Sequence, residues 1–319
     1  MHTSHSCHCH EHDAHRKQSH EHHHVPPKGE KLLIVTLLNA LITAVEIVGG
    51  LLSNSLSLLS DAVHNFGDTL AIAFAYIARR IGNKQADMRH TFGYKRTEIL
   101  AAFVNAAMLM AICLFLLKEA YERSLHPEQI QGKMMLIVAV VGLVANLISV
   151  LVLQKEKEHN MNTRAAYLHL LGDTLSSVAV IAGGIAIWLY DLVWLDPLIT
   201  ALVSLYILYH TWGVLHEAVN ILMQTAPEGV DIPMIIPKIE ALEGVHDVHH
   251  LHLWQLNEEQ IHFEAHIKVK EGISIEQLDE MRKQIQEILS AYGIYHSTLQ
   301  IGHDCCEGHI PLIVNENRD

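Results

Sequence analysis

The chain has 319 residues, of which 50% are hydrophobic and only 18% charged, and its formal net charge is −13. That balance does not suit a soluble protein of this size, and an acidic excess gives no sign of a nucleic-acid partner. Five cysteines in so long a chain argue against a disulfide framework; near-adjacent pairs beside histidines, Cys7 with Cys9 and Cys305 with Cys306, read better as metal thiolates.

Residues 1–24 (MHTSHSCHCHEHDAHRKQSHEHHH) carry ten of the 26 histidines. With almost no apolar side chains, this segment has no core to bury, so a disordered head is expected over residues 1–30. Neutral imidazoles suit weak capture of Zn, Cu, Ni or Co, and Cys7 and Cys9 are candidate ligands among them. The same two cysteines argue against a cloning tag, and the polar start is unlike a signal peptide.

Six apolar stretches follow within residues 31–224. They are Lys31–Leu52, Ser55–Ile81, Glu98–Ser124, Lys133–Leu153, Ala165–Tyr190 and Asp196–Met223. Ile99–Leu117 contains one polar residue, Asn105, and is long enough to cross a hydrocarbon core of about 30 Å. The expected class is therefore an integral membrane all-α bundle of six transmembrane helices. Basic residues set its orientation. Arg79, Arg80, Lys84, Arg89, Lys95 and Arg96 lie between spans two and three, and Lys155, Lys157 and Arg164 between four and five. The opposite turns one–two and five–six carry no Lys or Arg, so both termini are expected in the cytoplasm.

Two polar motifs interrupt the apolar pattern. Span two contains Asp61-Ala-Val-His64-Asn-Phe-Gly-Asp68, and span five contains His169-Leu-Leu-Gly-Asp173. A carboxylate four residues after a histidine lies on the same helix face. Two such helices face to face would offer two imidazoles and two carboxylates to one point, a set suited to four-coordinate Zn²⁺. An Asp inside a membrane helix costs roughly 2.5–3.5 kcal/mol on translocon scales, so a matched pair needs a reason, and a transported metal ion supplies one. Asp61 falls on the same face and reads as a supporting group. Glu46 in span one reads as either lining the path or snorkelling. Gly49-Gly50 and Gly183-Gly184 read as sites of close helix packing. His126, His159, His210 and His216 are expected near span ends.

From residue 225 the composition becomes that of a soluble domain, expected to extend to residue 306, with a tail over 307–319. Ile232–Leu242 and Ile275–Tyr292 read as helices, and His246–Leu256, Gln260–Lys270 and His296–Ile301 as strands. The αββαβ order predicts a small α+β, ferredoxin- or metallochaperone-like domain with its helices on one sheet face. In the second strand Ile261, Phe263, Ala265, Ile267 and Val269 point to the core, leaving His262, Glu264, His266 and Lys268 on the other face. Leu251 and Leu253 set the first strand the same way, so His250, His252 and Trp254 join that face and His249 points to the core. A face so rich in histidine is expected to be a metal-bearing dimer surface.

Together these residues resemble the cation diffusion facilitator family of divalent-metal transporters. The resemblance rests on the paired motifs, on HTFGYKRTEILAAFVN (His90–Asn105), on VHHLHLW (Val248–Trp254) and on EAHI (Glu264–Ile267), and it covers nearly everything from Lys31 to Cys306. It implies a zinc, cadmium and cobalt exporter, not an enzyme, working against inward protons as a homodimer. The overall size and the short loop after span four look like the bacterial branch, which sits in the cell membrane, and eukaryotic vesicular zinc transporters share the same motifs. On this resemblance the transport site falls on His64, Asp68, His169 and Asp173. Zn²⁺ is then cargo and a regulatory ligand of the cytoplasmic domain, not a resident cofactor, and His249, His266, Cys305 and Cys306 are its cytoplasmic ligands. Cys7 and Cys9 resemble an N-terminal metal motif of some relatives. Other relatives hold a further metal in the loop after span two through Asp, His and His. Asp87 and His90 match that pattern, but Tyr94 occupies the third place.

Two other readings fit the residues less well. A b-type haem protein would use intramembrane histidines but has no use for the paired carboxylates. A metal-sensing or storage protein would use the head and the soluble domain but leaves the intramembrane motifs unexplained.

Overall fold

A computed structural model describes residues 29–154 and 161–303, less the side chains of 29–35, 152–154, 161–172 and 175. Residues 1–28 of the expected head, the tail and the four cysteines Cys7, Cys9, Cys305 and Cys306 lie outside the described residues, and Gly29 and Glu30 already belong to the first helix.

Six long helices come first: α1 (Gly29–Ser53), α2 (Leu56–Gly82), α3 (Thr97–Leu125), α4 (Gly132–Gln154), α5 (Met161–Tyr190) and α6 (Leu195–Leu222). Among the described residues, α1, α3, α4 and α6 contain stretches long and apolar enough to cross a membrane. Helix α2 falls short because Asp61, His64, Asn65, Asp68, Arg79 and Arg80 dilute its apolar residues. Large apolar side chains such as Leu37, Leu41, Phe115, Val141, Leu202 and Trp212 are exposed on the bundle. An apolar surface of that extent marks a membrane-facing or partner-facing side.

Helix α1 packs on α2 and α4, α4 on α5, and α3 on α2 and α6. Small residues set the closest crossings. A Cβ on Gly49 would lie 2.6 Å from Val138 of α4, and one on Gly183 would lie 2.4 Å from Ile199 of α6. Polar groups set the register of α2 on α6. Ser55 caps α2 by accepting from the Leu58 N–H. The fully buried Asp196, in the first turn of α6, accepts from the backbone N–H groups of Leu56 (2.8 Å) and Ser57 (3.1 Å) and from the hydroxyls of Ser55 and Ser57 (both 2.6 Å).

The C-terminal domain follows as α7 (Ile232–Glu240), β1 (Val245–Gln255), β2 (Ile261–Val269), α8 (Ile275–Ser290) and β3 (His296–Gly302). Strand β1 runs antiparallel to β2, and β2 parallel to β3, so α8 is the crossover between β2 and β3. Its start is fixed by a capping box between Ser274 and Gln277. Ile235, Ile239, Met281, Ile285 and Leu289 from the two helices pack on Val248, Leu253, Phe263, Ala265 and Ile267 of the sheet.

Strand β1 departs from strict alternation. Its pairing with β2 shifts between His249 and His252, and His250 adopts a left-handed φ of 49°. This bulge lets Val248 and Leu251, three residues apart, both face the core. It also places His249 opposite His266, on the face away from the helices. The expectation that His249 points to the core is thereby corrected: a period of two holds only up to the inserted residue.

That face is not open along its whole length. Trp254 and His262 stack with centroids 4.4 Å apart, and Phe92 from the α2–α3 connection sets its ring edge-on against both, at 5.9 and 5.4 Å. The Arg96 guanidinium lies 5.7 Å from the Trp254 ring. Trp254 and His262 are consequently buried, covered by the chain's own loop where a free surface was expected.

Candidate metal centre

Helices α2 and α5 bring three of the four motif residues together. His64 Nε2 lies 2.9 Å from Asp173 Oδ1 and 3.9 Å from Asp68 Oδ2. One ligand atom from each of His64, Asp68 and Asp173 falls within 4.8 Å of the others, a grouping that could hold a metal ion. His169 falls on α5, one turn before Asp173, and its side chain lies outside the described residues. The i, i+4 spacing aligns His64 with Asp68 on α2, and the packing of α2 on α5 adds Asp173 from across the gap.

A second layer of polar groups surrounds these residues. Asp61 accepts from the Ser176 hydroxyl at 2.6 Å and from that of Ser177 at 3.2 Å. Ser177 in turn lies 3.4 Å from the Asn146 amide of α4. Glu46 of α1 accepts from the Asn65 side-chain amide at 2.8 Å, and the residue is 1% exposed, so it does not snorkel. These bonds tie α1, α2, α4 and α5 together around the metal-ligand types and restrict their orientation. Of them, only Asp61 and Glu46 stand out in the sequence; Asn65, Ser176 and Ser177 are unremarkable there.

A cavity of about 800 Å³ leads away from the site. His64 and Asp68 line its inner part. Phe74, Asn105 and Tyr206 line its flanks, and Arg79, Lys95 and Glu98 continue it to Asn257, Glu258 and Glu259 of the β1–β2 turn. The cavity thus connects His64 and Asp68 with the side on which the C-terminal domain sits. His210 also lines it. The expectation that His210 lies near a span end is corrected, since it sits in the middle third of α6, packed edge-on against Tyr206 with centroids 4.6 Å apart.

The loop residues Asp87, His90 and Tyr94 form a closed unit. Asp87 accepts from the backbone N–H groups of Arg89 and His90, both at 2.7 Å, and from the Tyr94 hydroxyl at 2.9 Å. These donors, the His90 N–H foremost, hold its carboxyl well below the usual carboxylate range, and the same bond raises the Tyr94 phenol.

In the C-terminal domain His249 and His266 face each other across strands with ring centroids 5.6 Å apart, and His249 Nδ1 lies 2.9 Å from Asp247 Oδ2. Burial, and then the neighbouring His250, His249 and His252, lower the His266 pKa.

Residues 32–223 match the family model described as the cation efflux transmembrane domain, and residues 227–303 match that of the cation efflux protein cytoplasmic domain. The zinc transporter ZitB of Escherichia coli is 39% identical over 91% of this chain and 93% of its own length. The metal cation efflux system protein CzcD of Cupriavidus metallidurans is 36% identical over 90% and 91%. The cadmium, cobalt and zinc/H(+)-K(+) antiporter of Bacillus subtilis is 35% identical over 88% and 91%.

Proposed function

The chain belongs to the cation efflux family, and from that premise we propose that it exports Zn²⁺, with Cd²⁺ and Co²⁺ as further cargo, in exchange for protons. Its transport site is His64, Asp68, His169 and Asp173. The observation that carries this reading is the convergence of His64, Asp68 and Asp173 donor atoms within 4.8 Å at the inner end of a cavity reaching the C-terminal domain. Borderline cations accept such mixed nitrogen and oxygen donors. The zinc, cadmium and cobalt named for the relatives support the same cargo, and the antiport named for the Bacillus subtilis relative supports the exchange for protons.

The 2.9 Å contact between His64 Nε2 and Asp173 Oδ1 requires a hydrogen between the two atoms. A metal ion bound by both displaces that proton, so occupancy by metal and by proton exclude each other. In the state seen here, ligands reach the site from the side of the C-terminal domain. Alternating access then requires α2 and α5 to expose the same residues to the opposite side, where incoming protons release the metal. All six helices span the membrane in this reading, with both termini in the cytoplasm of a bacterial cell. The C-terminal domain pairs two chains into a homodimer and binds regulatory Zn²⁺, using His249, His266, Cys305 and Cys306. Residues 1–30, with Cys7 and Cys9, buffer metal near the entrance.

Zn²⁺ uptake into everted vesicles, driven by a proton gradient, tests the site. Asp173→Asn removes a charged ligand and should abolish uptake while the protein remains in the membrane; wild-type rates would refute the assignment.

A further inference from the structure

We propose that His250 and His252 form a second metal-binding pair on the sheet of the C-terminal domain, distinct from His249 and His266 and selective for borderline divalent cations such as Zn²⁺. The two Nε2 atoms lie 3.4 Å apart. Two imidazole nitrogens on one tetrahedral Zn²⁺, each at about 2.0–2.1 Å, are separated by about 3.3–3.4 Å. The rings stand at 90° to each other, with centroids 4.9 Å apart, so their nitrogens converge without ring overlap.

The backbone is bent to produce this convergence. His250 holds a left-handed φ of 49° at the bulge, a conformation uncommon for any residue other than glycine. Bulges re-aim side chains, and this one turns His250 towards His252. A hydrogen bond between two neutral rings on a water-exposed face gains little over bonds to water, so it gives weak compensation for the strained residue. A shared metal ion compensates for it better. His266 stacks on His250 at 4.7 Å and 30°, supporting the ring.

The pair supplies two protein ligands, and water completes the coordination because His252 is exposed. Such a site exchanges metal readily and suits sensing better than storage. It is spatially separate from the transport site, since neither residue lines the cavity that reaches His64.

The test counts Zn²⁺ bound per chain by equilibrium dialysis of the full-length protein in detergent after chelator stripping. His250→Gly is the informative variant, because glycine adopts the left-handed conformation freely and the fold is retained. We expect His250→Gly and His252→Asn each to bind one Zn²⁺ fewer than wild type. His249→Asn should keep that ion, and Asp173→Asn in the His250→Gly background should lose one more. Zn²⁺ uptake by His250→Gly vesicles at saturating metal should match that of wild type. An unchanged count in His250→Gly overturns the proposal. Loss of the same ion in His249→Asn also overturns it, by merging the two pairs into one site. A changed count for Asp173→Asn alone bears only on the transport site.

Discussion

Asp196 is the structural anchor whose removal should be most costly. Its carboxylate is fully buried and accepts from four donors at the start of α2: the N–H groups of Leu56 and Ser57 and the hydroxyls of Ser55 and Ser57. The hydroxyls have alternatives, since Ser55 Oγ lies 3.2 Å from Ser57 Oγ, but the two N–H groups are fixed by the helix. A buried donor left without an acceptor costs about 1–3 kcal/mol. Two of them, together with the lost favourable interaction of a carboxylate with a helix N-terminus, put Asp196→Ala at about 3–5 kcal/mol. Asp196→Asn keeps one carbonyl oxygen and should lose about half as much. Unfolding in SDS followed by far-UV circular dichroism measures this. In the Asp196→Ala background Ser57→Ala should add less than about 0.5 kcal/mol, because its acceptor is already gone. A loss below about 0.5 kcal/mol for Asp196→Ala would refute the reasoning.

The loop and the sheet give two further tests. Tyr94→His replaces the hydroxyl now bonded to Asp87 with an imidazole beside Asp87 and His90. It should add one bound Zn²⁺ per chain in equilibrium dialysis, and an unchanged count would show that the loop cannot supply three ligands. Burial beneath Trp254, and then the neighbouring His296, lower the His262 pKa. The unfolded chain therefore takes up the proton first as pH falls below about 6.5, so stability is full above that pH and declines below it. His262→Phe should flatten the fall in thermal midpoint, followed by tryptophan fluorescence, between about pH 7.5 and 5.5. Parallel curves for the two proteins would contradict it.

The metal-ligand types were legible from spacing alone, because a four-residue interval on a helix is a geometric statement. His64 and Asp68 need no tertiary information to be placed on one face. The stripe of Met281, Ile285 and Leu289 on α8 follows from periodicity in the same way. Long-range polar partnerships were not legible. Asp196 meets Ser55 across 141 residues, and neither residue differs in type from an ordinary helix-end residue. The bulge at His250 defeated alternation because one inserted residue reverses the facing of every position beyond it. Phe92 lay in a motif of the resemblance but gave no signal of this contact: a loop phenylalanine acquires such a role only when Trp254 and His262 are brought beneath it.

That seat of Phe92 carries a thermodynamic obligation. The connection between α2 and α3 packs on strand β1 through Phe92 and Arg96, and α2 also holds His64 and Asp68. If a cation on the sheet shifts Trp254 and thereby alters metal affinity at His64, linkage requires metal at His64 to alter affinity on the sheet by the same factor. The two ends of the molecule cannot then be tuned separately. Any substitution at Phe92 that weakens one response must weaken the other equally, and the ratio of the two is fixed at one.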